Sequence, residues 1–404
     1  MENNLYNALF TGQGSQFADM FDPFIDMGQS REILERASEV LGYDILKVSH
    51  DEEKIFKTHY SQPLNYVYEY MLFQMLKEET SYKPNVVVGH SMGEFAALAC
   101  MGAVDFDTGL NLIKLRGELM THVNAEFLMV SVIGISSVEV EMLVESYNAA
   151  KERDVNISNY NGSSQTIVTI QKDDFENFEN YVTMLYDNAI VKKLKLPYPF
   201  HTKHMKKYSV KLAEYMDKLV LHKMVVPMIS NVTGRPCKDI YLKKYLVEQM
   251  YMPIHFSDCM NYAYLTGVNN WVEFGPGSVL GKIVKREYPD AQVFSANKEV
   301  GRADSDFKNK KVEKETDSLK KQIEHYLYYI TTYADKEGCT EYQDITKNYN
   351  LLRKLYLSQD IASAGKKDAK QEEYVRRLFM DTMKLKGYKV QTLDSMDYLN
   401  IKFG

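Results

Sequence analysis

The chain has 404 residues, of which 45% are hydrophobic and 26% charged, a balance typical of a soluble globular protein that buries a large core. Its formal net charge of −6 argues against a general binder of nucleic acid or of anionic membrane surfaces. Four widely spaced cysteines, the lack of a basic apolar leader and the lack of an apolar run of about 18 residues predict a cytoplasmic protein with reduced thiols and no membrane span.

Short β-rich segments alternate with longer helical patterns in residues 1–123 and 196–298. This alternation predicts a large α/β domain with a mostly parallel sheet. Its predicted strands are YNALF, NVVVG, VPMISNV and WVEFG.

Residues 124–195 follow a different order of patterns. They read strand, helix, strand, strand, helix, strand, from FLMVSVIGI to the residues that follow DDFENFENYVTMLYDNA. This is the order of a ferredoxin-like unit, so we expect a small subdomain inserted into the larger one.

Residues 299–404 form the third predicted part. All ten prolines lie between Pro23 and Pro289, and the charged segment KEVGRADSDFKNKKVEKETDS then predicts a solvated linker. Apolar residues at helical spacing predict a helical C-terminal appendage beyond it: Leu319, Ile323, Tyr326, Leu327, Ile330, Leu351, Leu352, Leu355, Val375, Leu378 and Phe379.

The segment Gly89-His90-Ser91-Met92-Gly93 fits the pattern G-x-S-x-G of a strand-turn-helix elbow. A predicted strand precedes it and helix-forming residues follow it, as the elbow requires. Its serine would stand at the amino end of the helix, where backbone N–H groups favour developing negative charge. An ordinary tight turn is the alternative interpretation of these five residues.

A serine nucleophile needs a base, and nine histidines are available. His201 lies in LKLPYPFHTKHM, where prolines and an aromatic residue predict a rigid loop that aims the imidazole. Spacing alone favours His201 only slightly over His204.

Eight segments occur in an order that resembles the malonyl-CoA:acyl-carrier-protein transacylase family, and most closely the free-standing acyltransferases that serve polyketide synthases. The resemblance covers residues 6–298 and implies an α/β-hydrolase-like large domain. The segments are FTGQGSQ (10–16), SQPLN (61–65), GHSMGE (89–94), LRG (115–117), SNYNGSSQTIVTI (158–170), PFHT (199–202), SNVTG (230–234) and EFGPGSVLGKIV (273–284).

The resemblance implies catalytic roles for five residues. Ser91 would carry the acyl group and His201 would be its base, with the backbone carbonyl of Gln249 orienting the imidazole. The main-chain N–H groups of Gln13 and Met92 would form the oxyanion hole. Two of these residues also have an interpretation without a catalytic role. Gln249 could be an ordinary amide at a helix end, and Gln13 could lie in a plain glycine-rich turn.

The resemblance also implies substrate contacts. Arg116 would pair with the free carboxylate of a malonyl group, which neutral acyl groups lack; without the resemblance, a surface arginine is the simpler interpretation. Phe200 matches the family members that take malonyl, since relatives for methyl-branched groups carry a smaller residue there. Further pocket-lining or supporting polar residues would be Gln62, His90, Asn159, Asn161 and Asn231.

The predicted function is transfer of malonyl from malonyl-CoA, through a serine ester, to an acyl-carrier protein of a polyketide or fatty-acid synthase. No metal or redox cofactor is expected. Alternatives are an acyl hydrolase that clears carrier proteins, a degenerate scaffold subunit and a generic esterase. Because carrier proteins are acidic, two basic groups are candidate docking faces: Lys203, Lys206 and Lys207, and Lys282, Lys285 and Arg286.

Overall fold

The computed structural model describes residues 5–123, 126–194, 198–302 and 369–385, together with residues 307, 323, 326, 348, 351 and 352. The chain divides into two compact units, Met1–Tyr264 with Val268–Lys310, and Leu265–Gly267 with Lys311–Gly404. The finer boundaries expected at residues 123, 195 and 298 stay predictions. None of the described helices combines the length and apolar character needed to cross a bilayer.

The secondary structure alternates strands and helices through most of the first unit. The strands are β1 (Leu5–Phe10), β2 (Lys83–Gly89), β3 (Phe127–Ile133), β4 (Asn156–Gly162), β5 (Gln165–Gln171), β6 (Ile190–Lys193), β7 (Met228–Ser230), β8 (Arg235–Pro236), β9 (Asn270–Phe274) and β10 (Gln292–Ser295). The helices described over their length are α1 (Ser30–Leu41), α2 (Ile45–Ser49), α3 (Thr58–Glu79), α4 (Gly93–Cys100), α5 (Phe106–Thr121), α6 (Ser137–Lys151), α7 (Phe175–Leu185), α8 (Lys206–Lys218), α9 (Asp239–Glu248), α10 (Phe256–Leu265), α11 (Val279–Glu287), α12 (Ala296–Glu299) and α13 (Ala369–Leu385).

The larger sheet has six strands in the order β10-β9-β1-β2-β7-β8. Neighbouring strands are parallel except β8, which runs antiparallel to β7. The apolar runs of β1 and β2 are buried, as expected for strands with helices on both faces. The mostly parallel sheet predicted from the sequence is confirmed.

The carboxyl ends of the parallel strands bring several loops to one edge of this sheet. Phe10, the last residue of β1, pairs with Gly89, the last residue of β2. The glycine-rich loop after β1 therefore lies beside the turn that contains Ser91. The loop after β7 begins with Asn231, which hydrogen-bonds to that turn.

The smaller sheet is antiparallel with the order β4-β5-β3-β6, and α6 and α7 complete the βαββαβ pattern. This is the ferredoxin-like arrangement expected from the sequence. The subdomain has its own core, in which Val130, Tyr147 and Phe178 are fully buried. Ser136 and Glu139 form a capping box that begins α6.

The second unit contains α13, which includes Val375 and Phe379 as buried residues. The ring of Phe379 stacks on that of Tyr326 with centroids 4.1 Å apart. Ile323, Leu351 and Leu352 are also helical. Most of the predicted linker lies outside the described residues, as do Leu319, Leu327, Ile330 and Leu355 of the predicted appendage.

Candidate active site

Ser91 lies on a sharp turn between β2 and α4. Its φ angle is 53°, in the left-handed region that few non-glycine residues adopt. A side chain on Gly89 would overlap the backbone of α4, and one on Gly93 would overlap the backbone of β1. The Ser91 N–H donates to Asn231 Oδ1 at 2.8 Å. The glycine spacing seen in the sequence therefore has a steric cause, and the surrounding structure holds the strained turn.

The imidazole of His201 lies against the Ser91 hydroxyl, with Nε2 2.8 Å from Oγ. Its other nitrogen, Nδ1, is 2.6 Å from the main-chain oxygen of Gln249. Because a carbonyl only accepts hydrogen bonds, Nδ1 carries the proton and Nε2 is free to accept one from the hydroxyl.

The competing histidine lies elsewhere. His204 Nε2 is 3.3 Å from Asp154 Oδ2, and its ring packs on Phe127 with centroids 4.7 Å apart. Of the two histidines that spacing could not separate, the structure brings His201 to the serine.

Arg116, in the middle of α5, is fully buried and reaches the same serine. Nη2 donates to Ser91 Oγ and to Gln249 Oε1, each at 2.9 Å, and Nη1 donates to Gln62 Oε1 at 2.8 Å. The guanidinium also lies over the Phe95 ring, 5.0 Å from its centroid. Its Nε atom has no hydrogen-bond partner among the described residues. The site thus contains a buried cation with an unused donor next to a nucleophile.

Two main-chain N–H groups accompany this cluster. Gln13 follows β1 and Met92 follows Ser91 in the chain, and both border the same cavity as the hydroxyl. Neither N–H donates to another part of the described chain. Free amides at the amino end of α4 are suited to a developing oxyanion.

A cavity of about 230 Å³ contains the serine, the histidine and the arginine. One wall comes from the large sheet and its loops, and the other comes from the small antiparallel sheet. Its apolar part is lined by Met120, Met129, Ile167, Leu194, Phe200 and Ile283. A small acyl group with a polar end fits this combination of surfaces.

Residues 8–325 match the family model described as "Acyl transferase domain". The chain belongs to this family. It is 30% identical over 288 residues to the polyketide biosynthesis malonyl CoA-acyl carrier protein transacylase PksC of Bacillus subtilis (strain 168), a match that covers 71% of this chain and 98% of that protein. It is 29% identical over 289 residues to the malonyl CoA-acyl carrier protein transacylase of Escherichia coli (strain K12), covering 69% of this chain and 91% of that protein.

Solved structures of acyl transferases share the fold. FabD from Acinetobacter baumannii has a TM-score of 0.69 and 25% identity, covering 74% of this chain and 95% of that chain. A second structure, described as a type II PKS acyl-carrier protein in complex with its malonyl-transacylase (PlMCAT:AntF), has a TM-score of 0.69 and 25% identity, covering 72% of this chain and 96% of that chain. The family resemblance read from the sequence motifs is confirmed.

Four other predicted pocket residues of this acyl transferase border the cavity or contact the residues around it. Gln62 borders the cavity and accepts from Arg116. His90 Nε2 is 3.0 Å from Asn161 Oδ1, a contact that joins the elbow to the small sheet. Asn159 borders the cavity with an Oδ1 atom that has no partner among the described residues. Phe200 is buried and stacks on Tyr198 with centroids 5.3 Å apart.

Asn231 is expected from the sequence to be either a pocket-lining or a supporting residue. It does not line the cavity, and its side chain is occupied by the elbow. Oδ1 accepts from the Ser91 N–H, and Nδ2 donates to the Gly89 oxygen at 2.7 Å. Its side chain therefore supports the turn, because it bonds to Gly89 at the start of the turn and to Ser91 at its centre.

Two buried groups gain a role that sequence reasoning missed. Glu94 is 1% exposed, and its carboxylate accepts from the Asn231 main chain and from Gln249 Nε2. The side chain of Gln249 also donates to the Ser91 oxygen at 2.8 Å, beyond the main-chain role expected for this residue. The signal was present in the sequence as a lone carboxylate at the start of the apolar helix GEFAALAC.

One group of acidic and histidine side chains in the described part of the chain lies close enough together to hold a metal ion. Among the described residues, the three side chains close enough together to share an ion are Asp19, Asp22 and His50, which are exposed and lie outside the cavity. His50 Nε2 is 2.8 Å from Asp22 Oδ1.

The electrostatics of the site keep the imidazole neutral. The pKa of His201 is lowered from 6.5 to about 3, mainly by burial and next by the charge of Arg116, while the hydrogen bond to the Gln249 carbonyl opposes both. Burial also lowers the pKa of Arg116 to about 9, which leaves the guanidinium mainly charged at neutral pH. Since the neutral imidazole is the form that accepts a proton, the base is ready over a wide pH range.

We expect the reactivity of Ser91 to persist well below the ordinary histidine pKa of 6.5. A lowered pKa means that the imidazole protonates, and the base is lost, only as the pH falls through the lowered value. The measurement is the rate of inactivation by phenylmethanesulfonyl fluoride, a neutral serine reagent, between about pH 4 and pH 8.

The variant Arg116→Gln removes the positive charge beside His201. Its inactivation profile should therefore lose activity at a higher pH than the wild-type profile. Coincident profiles would show that the charge of Arg116 does not act on the histidine. A wild-type midpoint near 6.5 would show that the pKa of His201 is not lowered in the site.

Proposed function

We propose that this acyl transferase moves a malonyl group from malonyl-CoA to the phosphopantetheine thiol of an acyl-carrier protein, through an ester on Ser91. The observation that carries the proposal is the buried Arg116 guanidinium, 2.9 Å from Ser91 Oγ, with Nε unpartnered among the described residues. A buried cation with a vacant donor favours an acyl group that ends in a carboxylate. The relatives named malonyl CoA-acyl carrier protein transacylases support the same reaction.

The first half-reaction forms the ester. Ser91 Oγ attacks the thioester carbonyl carbon while His201 Nε2 takes the hydroxyl proton. The carbonyl oxygen becomes an oxyanion that accepts hydrogen bonds from the N–H groups of Gln13 and Met92. The carbon–sulfur bond then breaks, and His201 returns the proton to the departing sulfur of coenzyme A.

The second half-reaction reverses these roles. The carrier thiol loses its proton to His201 and attacks the ester carbon, and the same N–H groups stabilise the new oxyanion. Ser91 Oγ leaves and recovers the proton. The steps use side chains and main-chain amides alone, so we propose that the reaction needs no metal or redox cofactor.

Hydrolysis of acyl groups from carrier proteins is the second candidate. It uses the same serine and histidine and lets water resolve the ester. A hydrolase for neutral acyl chains would bind substrates that have no carboxylate for Arg116. The buried guanidinium would then remain without an anionic substrate partner, which costs binding free energy. The transferase is therefore the better match. We place it in the cytoplasm, as a separate chain that serves carrier proteins of a polyketide or fatty-acid synthase.

Ser91→Ala should abolish transfer of malonyl from radiolabelled malonyl-CoA to carrier protein and should leave no acid-stable label on the enzyme. The reason is that the variant lacks the oxygen that forms the ester. The measurement is autoradiography of denatured enzyme and carrier protein. Label retained on the folded variant would refute the serine ester.

Arg116→Gln should lower kcat/KM for malonyl-CoA by about 30-fold or more, because a charged pair lost from a buried site is worth about 2–5 kcal/mol. Acetyl-CoA lacks the carboxylate, so its kcat/KM should fall less or rise. Both substrates are assayed with the same carrier protein. An unchanged ratio of the two would contradict a carboxylate-binding role for Arg116.

The structure favours one of the two candidate basic faces for carrier docking. Lys206 and Lys207 begin α8, a few residues beyond His201, are exposed and form no ion pair with another described residue. Lys203 is bound to Asp154 at 2.6 Å, and Lys285 donates to main-chain oxygens at the end of α11. In the second group Arg286 pairs with Glu287, and Lys282 alone is exposed without an ion pair among the described residues. The start of α8 therefore offers two adjacent charges to an acidic partner, and the second group offers one.

The double variant Lys206→Glu/Lys207→Glu should raise KM for carrier protein by about tenfold or more, since like charges would then meet at the docking face. Hydrolysis of malonyl-CoA in the absence of carrier should not change. A matched control is Lys77→Glu/Lys83→Glu, which makes the same charge change where α3 ends and β2 begins, away from the loops of the site. Equal effects of the two double variants would exclude docking through α8.

A further inference from the structure

Glu94 is a buried carboxylate that the reaction described above does not use. It lies in the first turn of α4 and does not border the cavity. Both of its oxygens receive donors, since Oε1 accepts from the Asn231 N–H at 2.6 Å and Oε2 accepts from Gln249 Nε2. Burial raises the pKa of Glu94, while the donors on both oxygens and the nearby charge of Arg116 oppose this and favour the ionised form.

The Gln249 side chain connects this carboxylate to the arginine. Its Nε2 faces two acceptors, the main-chain oxygen of Ser91 and the carboxylate of Glu94. Its Oε1 faces a donor, Nη2 of Arg116, at 2.9 Å. A flipped amide would place its NH2 group against the guanidinium and its oxygen against two other oxygens. The contacts therefore fix one orientation of the amide.

Arg116 depends on that orientation because it has no carboxylate as a direct partner among the described residues. Its acceptors are an amide oxygen of Gln62, the Ser91 hydroxyl and the amide oxygen of Gln249. Glu94 supplies the negative charge that favours the protonated guanidinium, one amide away. A buried charge without such compensation is strongly disfavoured.

We propose that Glu94 is a positioning residue for substrate selection. It holds the Gln249 amide so that its oxygen receives Arg116, and it thereby keeps the guanidinium charged and aimed beside Ser91 for an acyl group with a free carboxylate. The inference rests on the proposed function. It adds that preference for malonyl depends on a carboxylate that never touches the substrate.

The variant Glu94→Gln tests this with little change in size. Its side chain offers one oxygen and one NH2 group to two donors, so a donor must face a donor unless the Gln249 amide turns over. Turning over removes the acceptor from Arg116. We expect the ratio of kcat/KM for malonyl-CoA to that for acetyl-CoA to fall about tenfold or more. Inactivation of Ser91 by phenylmethanesulfonyl fluoride should change far less.

The matched control is Glu69→Gln. Glu69 is a fully buried carboxyl of α3 in the same sheet domain, but it accepts from Thr11 and has no contact with Gln249. Its substitution should leave the malonyl-to-acetyl ratio at the wild-type value. A second variant, Gln249→Met, keeps the main-chain carbonyl that holds His201 and removes the amide, so its ratio should fall as it does for Glu94→Gln.

The outcomes separate this inference from the function on which it rests. Wild-type protein without a preference for malonyl would overturn the proposed function and the inference together. A wild-type preference that survives in folded Glu94→Gln and Gln249→Met would overturn the inference alone. An equal fall in kcat/KM for malonyl-CoA and acetyl-CoA in Glu94→Gln, together with slower inactivation of Ser91, would also overturn the inference. Glu94 would then support only the fold of the elbow.

Discussion

The strained turn at Ser91 is the constraint on which the rest of the site depends. A non-glycine residue at a φ of 53° persists only where its surroundings leave no alternative. Here the limits come from close packing at Gly89 and Gly93 and from Asn231, which bonds to Gly89 and to Ser91. Four parts of the chain therefore have to fold correctly before the Ser91 hydroxyl contacts His201: β1, the turn between β2 and α4, the loop that begins with Asn231, and the loop that contains His201.

Gln249 connects the residues that set the geometry of the site with those that carry its charges. Its main chain orients His201, and its side chain contacts Arg116, Glu94 and the Ser91 carbonyl. One residue at the end of α9 thus joins the proposed base to the proposed carboxylate site. The main-chain carbonyl of Gln249 serves the first place and its side-chain amide serves the second, so both depend on the position of this one residue.

The sequence predicted the strands, the elbow and both sheets because alternating apolar runs and glycine spacing report local backbone geometry directly. It could not separate His201 from His204, since three residues along a loop say little about where a ring points. The motif resemblance made that choice. Glu94 lies within the motif GHSMGE, but the sequence alone gives it no role, because its burial and its partners 137 and 155 residues away arise only in the folded chain. For the same reason the sequence does not decide whether Asn231 lines the pocket or supports the turn.

Substrate binding should change the strength of the base. In the free site, the Arg116 charge lowers the pKa of His201. A malonyl carboxylate that pairs with the guanidinium would neutralise most of this effect, so the imidazole would become more basic once the acyl group is in place. A neutral acyl group would leave the Arg116 charge without a substrate carboxylate as partner, and the pKa of His201 would stay lowered. Selection then acts twice through the same cation, first on binding and again on proton transfer, which is more discrimination than a binding contact alone provides.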